Sequence, residues 1–393
     1  MNETIYMPVG EVCSSISDTY REKKNMVTLI NTSDVLEGRV LNHERVPNSN
    51  LKGQFKKTFQ RDDILYSEIR PQNRRFAYVD FSPIDYIAST KLMVIRAKKD
   101  VVSPKYLYYF LKNSSTVAEL QLLAETRSGT FPQITFSEVA NLTIPVPPLA
   151  VQEVIVQTMQ CLEDKTICNE QINDNLEQQA QSYFQELFVD NADPEWTTGT
   201  ISDLGTVVGG STPSKAKPEY YTESGIAWIT PKDLSINKSK FVSHGENDIT
   251  ELGLKNSSAA IMPEGTVLFS SRAPIGYIAI AAGEVTTNQG FKSVVPKPEI
   301  GTPFVYFFLK NTLPVIEGMA SGSTFKEVSG STMKNVPAVI PDAETLAKFS
   351  DFCAPIFAQQ RILEEQNQSL ATLRDNLLPK LMSGEIDVSA VQL

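Results

Sequence analysis

One segment of this chain is written twice. Tyr109-Phe110-Leu111-Lys112-Asn113 returns as Phe307-Phe308-Leu309-Lys310-Asn311. Gly129-Thr130-Phe131 is answered by Ser323-Thr324-Phe325, and from that phenylalanine the register holds, Asn141 against Asn335 and Pro147 against Pro341. Upstream, Leu65-Tyr66-Ser67 with Arg70-Pro71 resembles Leu268-Phe269-Ser270 with Arg272-Ala273-Pro274. Agreements in one order, about 200 residues apart, make two copies of one module. A unit that long is a domain, since solenoid repeats run roughly 20–50 residues. The length of 393 residues, at about 150 per domain, also allows two or three domains.

Each copy has a globular part and an acidic helical part. The expected boundaries are 1–148, 149–193, 194–341 and 342–393. Both globular parts are punctuated by Gly, Pro, Ser and Asn and carry short β-branched runs that read as strands: Lys91 to Ile95, Val267 to Phe269 and Tyr277 to Ala281. Pro104 to Asn113 reads as a helix with proline at an early position. The fold class is therefore α/β, as two mixed domains. The helical parts differ from these. From residue 149 to 193 there is neither Pro nor Gly. Ile155, Met159 and Leu162, then Leu176, Ala180, Tyr183 and Leu187, follow steps of 4 and 3, with Thr166, Asn169 and Asn173 as polar seam positions. Leu346, Phe349, Cys353, Ile356, Leu363, Leu370, Leu377 and Leu381 repeat the pattern, with Gln360, Asn367 and Arg374 in the gaps. Two helices of about 40 residues would each run about 60 Å. Pairing as an antiparallel coiled coil buries both stripes. The globular parts would then stand at opposite ends of a rod, related by a pseudo-two-fold axis, as in proteins that read two DNA half-sites. Pro355 is expected to kink or split the second helix.

A net charge of −10 speaks against nucleic acid only until it is divided. Residues 1–148 carry +3, 149–195 carry −9, 196–340 are neutral and 341–393 carry −4. The acid sits in the helical parts, which leaves room for a basic face on each globular part. Cys13, Cys161, Cys168 and Cys353 are scattered without a CxxC pair, which fits a reducing cytoplasm and neither zinc nor a disulfide framework. The opening MNETIYMPVG has no signal-peptide character, and no apolar run is long enough to span a bilayer.

The second copy contains an ordered string of short motifs. They are Gly209-Gly210-Ser211-Thr212-Pro213-Ser214-Lys215, Ile226-Ala227-Trp228-Ile229-Thr230, Ser271-Arg272-Ala273-Pro274-Ile275-Gly276 and Thr287-Asn288-Gln289-Gly290-Phe291. Leu377-Leu378-Pro379-Lys380-Leu381-Met382-Ser383-Gly384 closes the series. Together they resemble the specificity (S) subunit of type I restriction–modification enzymes. The resemblance implies two target-recognition domains, each reading half of a bipartite DNA sequence, and helical spacers that dock two methyltransferase (M) subunits. ATP-driven restriction (R) subunits would join that assembly. It implies no chemistry and no cofactor in this chain; S-adenosylmethionine, ATP and Mg would belong to the partners. The first copy departs from the pattern, with Ser89-Thr90-Lys91-Leu92 where Asn-Gln-Gly-Phe is expected.

Candidate DNA contacts follow from side-chain chemistry. Arg70, Gln72, Asn73, Arg74 and Arg75 crowd one loop, and Arg reads guanine while Asn or Gln reads adenine by paired hydrogen bonds. Lys56, Lys57 and Arg61 are phosphate candidates, with plain solvated lysines as the alternative. In the second copy Ser211, Thr212, Lys215 and Lys217 form a turn that would touch a phosphate or serve structure alone. Lys232 and Lys238 to Lys240 are further phosphate candidates, and Arg272 stands as counterpart to the first-copy loop. Asn288 and Gln289 favour a structural role. The 321–325 segment is expected to be a tight turn. No catalytic or metal-binding residues are singled out, because methyl-transfer, P-loop and cofactor-loop signatures are missing. A free-standing nuclease or methyltransferase, and a coiled-coil adaptor that reads no DNA, are the rival readings.

Overall fold

The computed structural model describes residues 4–22, 24–48, 53–127, 130–322 and 326–388. The expected turn at 323–325 lies outside them. Two compact units emerge, Met1–Thr166 with Ser369–Leu393, and Ile167–Gln368. Their borders run through the long helices rather than at the helix ends, so each unit owns a share of both.

In the first unit a four-stranded antiparallel sheet has the order Cys13–Ile16, Leu92–Ala97, Ile64–Ser67, Phe76–Tyr78. In the second unit the order is Gly205–Gly209, Lys292–Pro296, Val267–Ser271, Ile275–Ala281, with Phe241–Val242 added in parallel at the edge. Each unit also has a two-stranded antiparallel ribbon, Ile5–Pro8 with Thr143–Val146 and Thr197–Thr200 with Pro337–Ile340. A parallel pairing recurs as well, Met26–Ile30 with Tyr86–Ser89 and Trp228–Ile229 with Thr286–Thr287. The repeat seen in the sequence is thus a repeat of topology.

The strand that carries the repeated motif explains why it reads as a continuous apolar run. Successive side chains on a strand point to opposite faces. Ile64 and Tyr66 enter the core beneath the helix Pro104–Lys112, while Leu65 enters a second core on the other face. Val267 and Phe269 do the same opposite Leu268. Every residue of both strands is buried, and the terminal serines Ser67, Ser270 and Ser271 meet burial by hydrogen-bonding to backbone carbonyls.

The central helix spans Leu149–Gln185 and closes with a π turn, Glu186–Asp190. The last helix spans Ala343–Ser383 without a break at Pro355. The expected split therefore does not occur. Proline's missing N–H frees only the carbonyl of Asp351, and both residues face solvent, where water takes the bond. Within the second unit Asn169 donates to Asn367 at 2.8 Å, Gln360 donates to the Asn173 carbonyl at 3.2 Å, and Phe184 meets Phe349. Rising numbers on one helix meet falling numbers on the other, so the pair is antiparallel there. Within the first unit Ile155 and Met159 share a core with Leu378, Leu381 and Met382.

One buried polar cluster ties the globular part of the second unit to both helices. The Lys240 ammonium, almost inaccessible, donates to Glu177 at 2.6 Å and Gln360 at 2.8 Å and sits 3.6 Å over the Phe357 ring. Lys310 reaches the other Glu177 oxygen at 2.5 Å. Glu364 accepts the backbone N–H groups of Lys240 and Phe241. Burial pulls the Lys240 pKa down to about 8 against the upward pull of Glu177. Burial would raise Glu177, but the two ammonium groups hold it below the ordinary carboxylate range.

Candidate nucleic-acid interface

In the first unit the chain leaves Ile64–Ser67 and turns on Arg70, whose φ of 43° is a left-handed conformation uncommon outside glycine. A short 3-10 turn, Pro71–Asn73, follows, and Arg74 is left-handed again. The loop is held rigidly. Pro71 is buried, the Arg70 N–H donates to the Pro132 carbonyl at 3.1 Å, and the Gln72 N–H donates to Gln121 at 3.2 Å. Its side chains then divide into two sets. Arg74 donates to Ser114 at 2.9 Å and Arg75 to the Ser33 carbonyl at 3.0 Å, both toward the protein. Arg70, Gln72 and Asn73 are exposed, and among the described residues their side chains have no hydrogen-bond or ion-pair partner. A prebuilt loop that presents one guanidinium and two amides suits base-edge recognition.

Of the other first-unit candidates, only Arg61 stands at the far end of the strand that leads into this loop. Arg61 is exposed at the start of strand Ile64–Ser67, and Arg70 lies beyond its end, about 13 Å of strand away. Lys56 is exposed on strand Phe55–Lys57. Lys57 is half-buried, and its ammonium donates to the carbonyls of Thr90 at 3.1 Å and Leu92 at 2.8 Å. Burial lowers its pKa, only partly offset by Glu68.

In the second unit the scattered strings converge. Thr212, Lys215, Lys232, Asn288 and Gln289 line one open groove of about 560 Å³, together with Tyr221, Trp228 and Asn247. Gly210 makes the approach possible, because a Cβ there would stand 1.9 Å from the Asn288 carbonyl oxygen. Ser211 lies behind the groove, its N–H donating to the Thr287 carbonyl and its own carbonyl accepting from Trp228. Lys217 lies outside, its ammonium bonded to the Tyr220 hydroxyl at 3.0 Å. Arg272 lies outside too, paired with Glu327 at 3.5 Å. Its neighbour Ala273, with φ of 49°, takes the left-handed position before proline that Arg70 takes in the first unit. Asn288 accepts the Gly290 N–H at 2.8 Å, a local turn contact.

Sequence reasoning missed the partners that decide which cations are free. Ser114 and Glu327 lie 40 and 55 residues from the arginines they hold. Asn247 and Glu246 reach the groove from a segment with no motif of its own. Lys240, expected to meet a phosphate, is instead buried against Glu177 and Gln360, in a cluster that only the fold assembles.

The chain thus holds two units, each built on one sheet plan and each owning a share of both long helices. The family model described as "Type I restriction modification DNA specificity domain" matches residues 6–178 and again 194–373, and the chain belongs to that family. It is 29% identical over 435 residues to the type I restriction enzyme HindI specificity subunit of Haemophilus influenzae, covering 92% of this chain and 94% of that one. It is 39% identical over 194 residues to the MjaIX specificity subunit of Methanocaldococcus jannaschii, covering 47% of this chain and 45% of that one. The crystal structure of a type I restriction–modification S subunit from M. genitalium superimposes with a TM-score of 0.54 at 17% identity, over 97% of this chain and 96% of that one, which shows the shared fold. Among the described residues no helix is long and apolar enough to cross a membrane.

Proposed function

We propose that this chain gives a type I restriction–modification enzyme its sequence specificity and performs no chemistry itself. Each globular part reads one half of a bipartite double-stranded DNA target. The helix pair fixes the gap between halves and docks two methyltransferase subunits; restriction subunits join them. S-adenosylmethionine, ATP and Mg serve those partners, and the complex works in the cytoplasm. The observation that carries the reading is the repetition of one sheet plan in two units of a single chain, matched twice by one specificity-domain family.

Within that reading Arg70, Gln72 and Asn73 face base edges, and Arg74 and Arg75 hold their loop in place. Lys56 and Arg61 contact phosphates, and Lys57 braces its sheet. Thr212, Lys215 and Lys232 form the second unit's contact groove over a floor that includes Ser211, while Lys217 and Arg272 lie at its margins.

The test is co-expression with the methyltransferase subunit, purification of the complex, and genome-wide mapping of methylated adenines by single-molecule sequencing. A two-part motif with a fixed gap supports the proposal. A stable complex that methylates nothing would favour an adaptor, and methylation or cleavage by the isolated chain would favour a free-standing enzyme. Removing one heptad from the central helix should change the preferred gap and leave both halves of the motif intact. An unchanged gap would sink the ruler role of the helices.

A further inference from the structure

In the groove of the second unit Asn288 and Gln289 turn hydrogen-bond donors outward. Asn288 has spent its side-chain oxygen on the Gly290 N–H, and Gln289 has spent its own on the Thr212 hydroxyl. Each amide therefore turns an NH₂ group outward. Asp233 takes the N–H and hydroxyl of Thr230 on one oxygen and the Glu246 N–H at 2.9 Å on the other, and keeps its negative charge. At the rim Lys232 and Glu246 neutralise each other at 2.5 Å. Lys215 is exposed and, among the described residues, has no ion-pair partner. Lys215 thus stands without an ion-pair partner among the described residues, beside two outward-facing amide donors, in a lining where Lys215, Lys232, Asp233 and Glu246 sum to zero charge.

Adenine recognition by Asn or Gln needs a donor and an acceptor on the same amide. Here both amide oxygens are turned toward the protein, to the Gly290 N–H and the Thr212 hydroxyl. A phosphodiester needs only donors and a positive charge, and its oxygens match what the groove leaves open. We infer that this groove is a clamp for a backbone phosphodiester of the DNA, formed by Lys215, Asn288 and Gln289, which positions the second unit without reading a base. The inference rests on the DNA-recognition reading above and deepens it. It also gives the Gly-Ser-Thr-Pro and Asn-Gln-Gly-Phe strings a duty that is independent of which half-site is read.

The substitutions Asn288→Asp and Gln289→Glu keep the oxygens that accept from Gly290 and Thr212, and they replace the outward donors by negative charge. Lys215→Gln removes the charge alone. Complexes of each variant with the methyltransferase subunits would be titrated, over a salt series, with fluorescent duplexes carrying the mapped motif or a scrambled second half. For Lys215→Gln the slope of log K against log salt should become shallower by about 1. The two acidic variants should weaken binding about tenfold or more, equally on both duplexes, and the methylated motif should stay the same. Single methylphosphonate linkages, stepped along the second half-site, should weaken the wild type at one or two positions and leave Lys215→Gln indifferent there. A changed second half-site in any variant would overturn the clamp in favour of base reading. Unchanged affinity and salt slope in all three would remove the groove from the interface. A wild-type complex with no bipartite motif would overturn the DNA reading itself, a failure visible before any variant is made.

Discussion

The two units solve one mechanical problem with different materials. Both must fasten a globular part to the helix pair. In the first unit Lys112 and Tyr109 grip Glu163, with the lysine also over the rings of Tyr108 and Tyr109. Glu163 keeps about a third of its side-chain surface in water. In the second unit the equivalent Lys310 shares Glu177 with Lys240, and the cluster is sealed by Phe357, Tyr306 and Phe307. An aromatic group of Phe184, Phe188, Phe304 and Phe349 packs alongside. One unit holds on by a single pair, the other by a carboxylate shared between a buried Lys240 and a partly exposed Lys310. A buried ion network adds geometric demand more than net stability, because desolvation offsets most of the attraction. The difference teaches that repeat copies preserve backbone plan and core, and drift in the polar fastenings.

The sharpest way to break this comparison is to remove one carboxylate from each unit. Glu177→Ala leaves two ammonium groups facing one another in a buried site and should cost about 3–5 kcal/mol. Glu163→Ala leaves one mostly buried ammonium, Lys112, and should cost less, about 1–3 kcal/mol. Both tryptophans, Trp196 and Trp228, belong to the second unit, so tryptophan fluorescence during urea unfolding reports on it alone. Hydrogen exchange follows the first. Equal losses in the two units would refute the contrast between one-lysine and two-lysine fastening.

A second test titrates the network. Lys240 has a folded pKa of about 8, below its ordinary value. Between pH 8 and 10 the unfolded chain therefore holds a proton that the folded chain has released, and stability rises with pH in that window. Below pH 8 both states are protonated and the burial penalty is felt in full. The difference in stability between wild type and Lys240→Met should shift toward wild type by up to roughly 2 kcal/mol from pH 7.5 to 9.5. A difference flat in pH would mean that Lys240 keeps its proton throughout.

The sequence made the frame legible and left the contacts obscure, for a physical reason. Apolar runs such as Leu65-Tyr66-Ser67 and Leu268-Phe269-Ser270 report burial directly, and burial is local to the strand. Steps of 3 and 4 from Ile155 to Leu187 report a helix seam just as directly, although the most buried ring on that stretch, Phe184, falls outside the steps chosen. Whether an arginine is free is a different kind of fact. Arg70 and Arg74 share one loop and one chemistry, yet only the fold sets Ser114 beside the second. The same holds for Pro355, where solvent exposure of one helix face decided the outcome.

The loop contrast gives a third test. Arg70 is unpaired and exposed, whereas Arg272 is held by Glu327. If the first loop reads bases, Arg70→Ala should cost about 1–3 kcal/mol on the cognate duplex and relax one position of the first half-site. Arg272→Ala should cost less and relax nothing. Methylation maps of the two variants decide between them. Relaxation caused by Arg272 instead would reverse the assignment of roles.

The smallest effect separates two neighbours on one strand. Lys56 points to solvent, and Lys57 caps two carbonyl oxygens with a half-buried ammonium. Lys56→Gln should therefore act through phosphate alone, making the salt slope shallower by about 1 with no change of motif and no loss of stability. Lys57→Gln should leave the salt slope where it was and lower stability by about 1–2 kcal/mol, since the Thr90 and Leu92 carbonyls lose a charged donor. If the two effects came out exchanged, the side-chain alternation of strand Phe55–Lys57 would be wrong, and with it the face of the first unit that turns toward DNA.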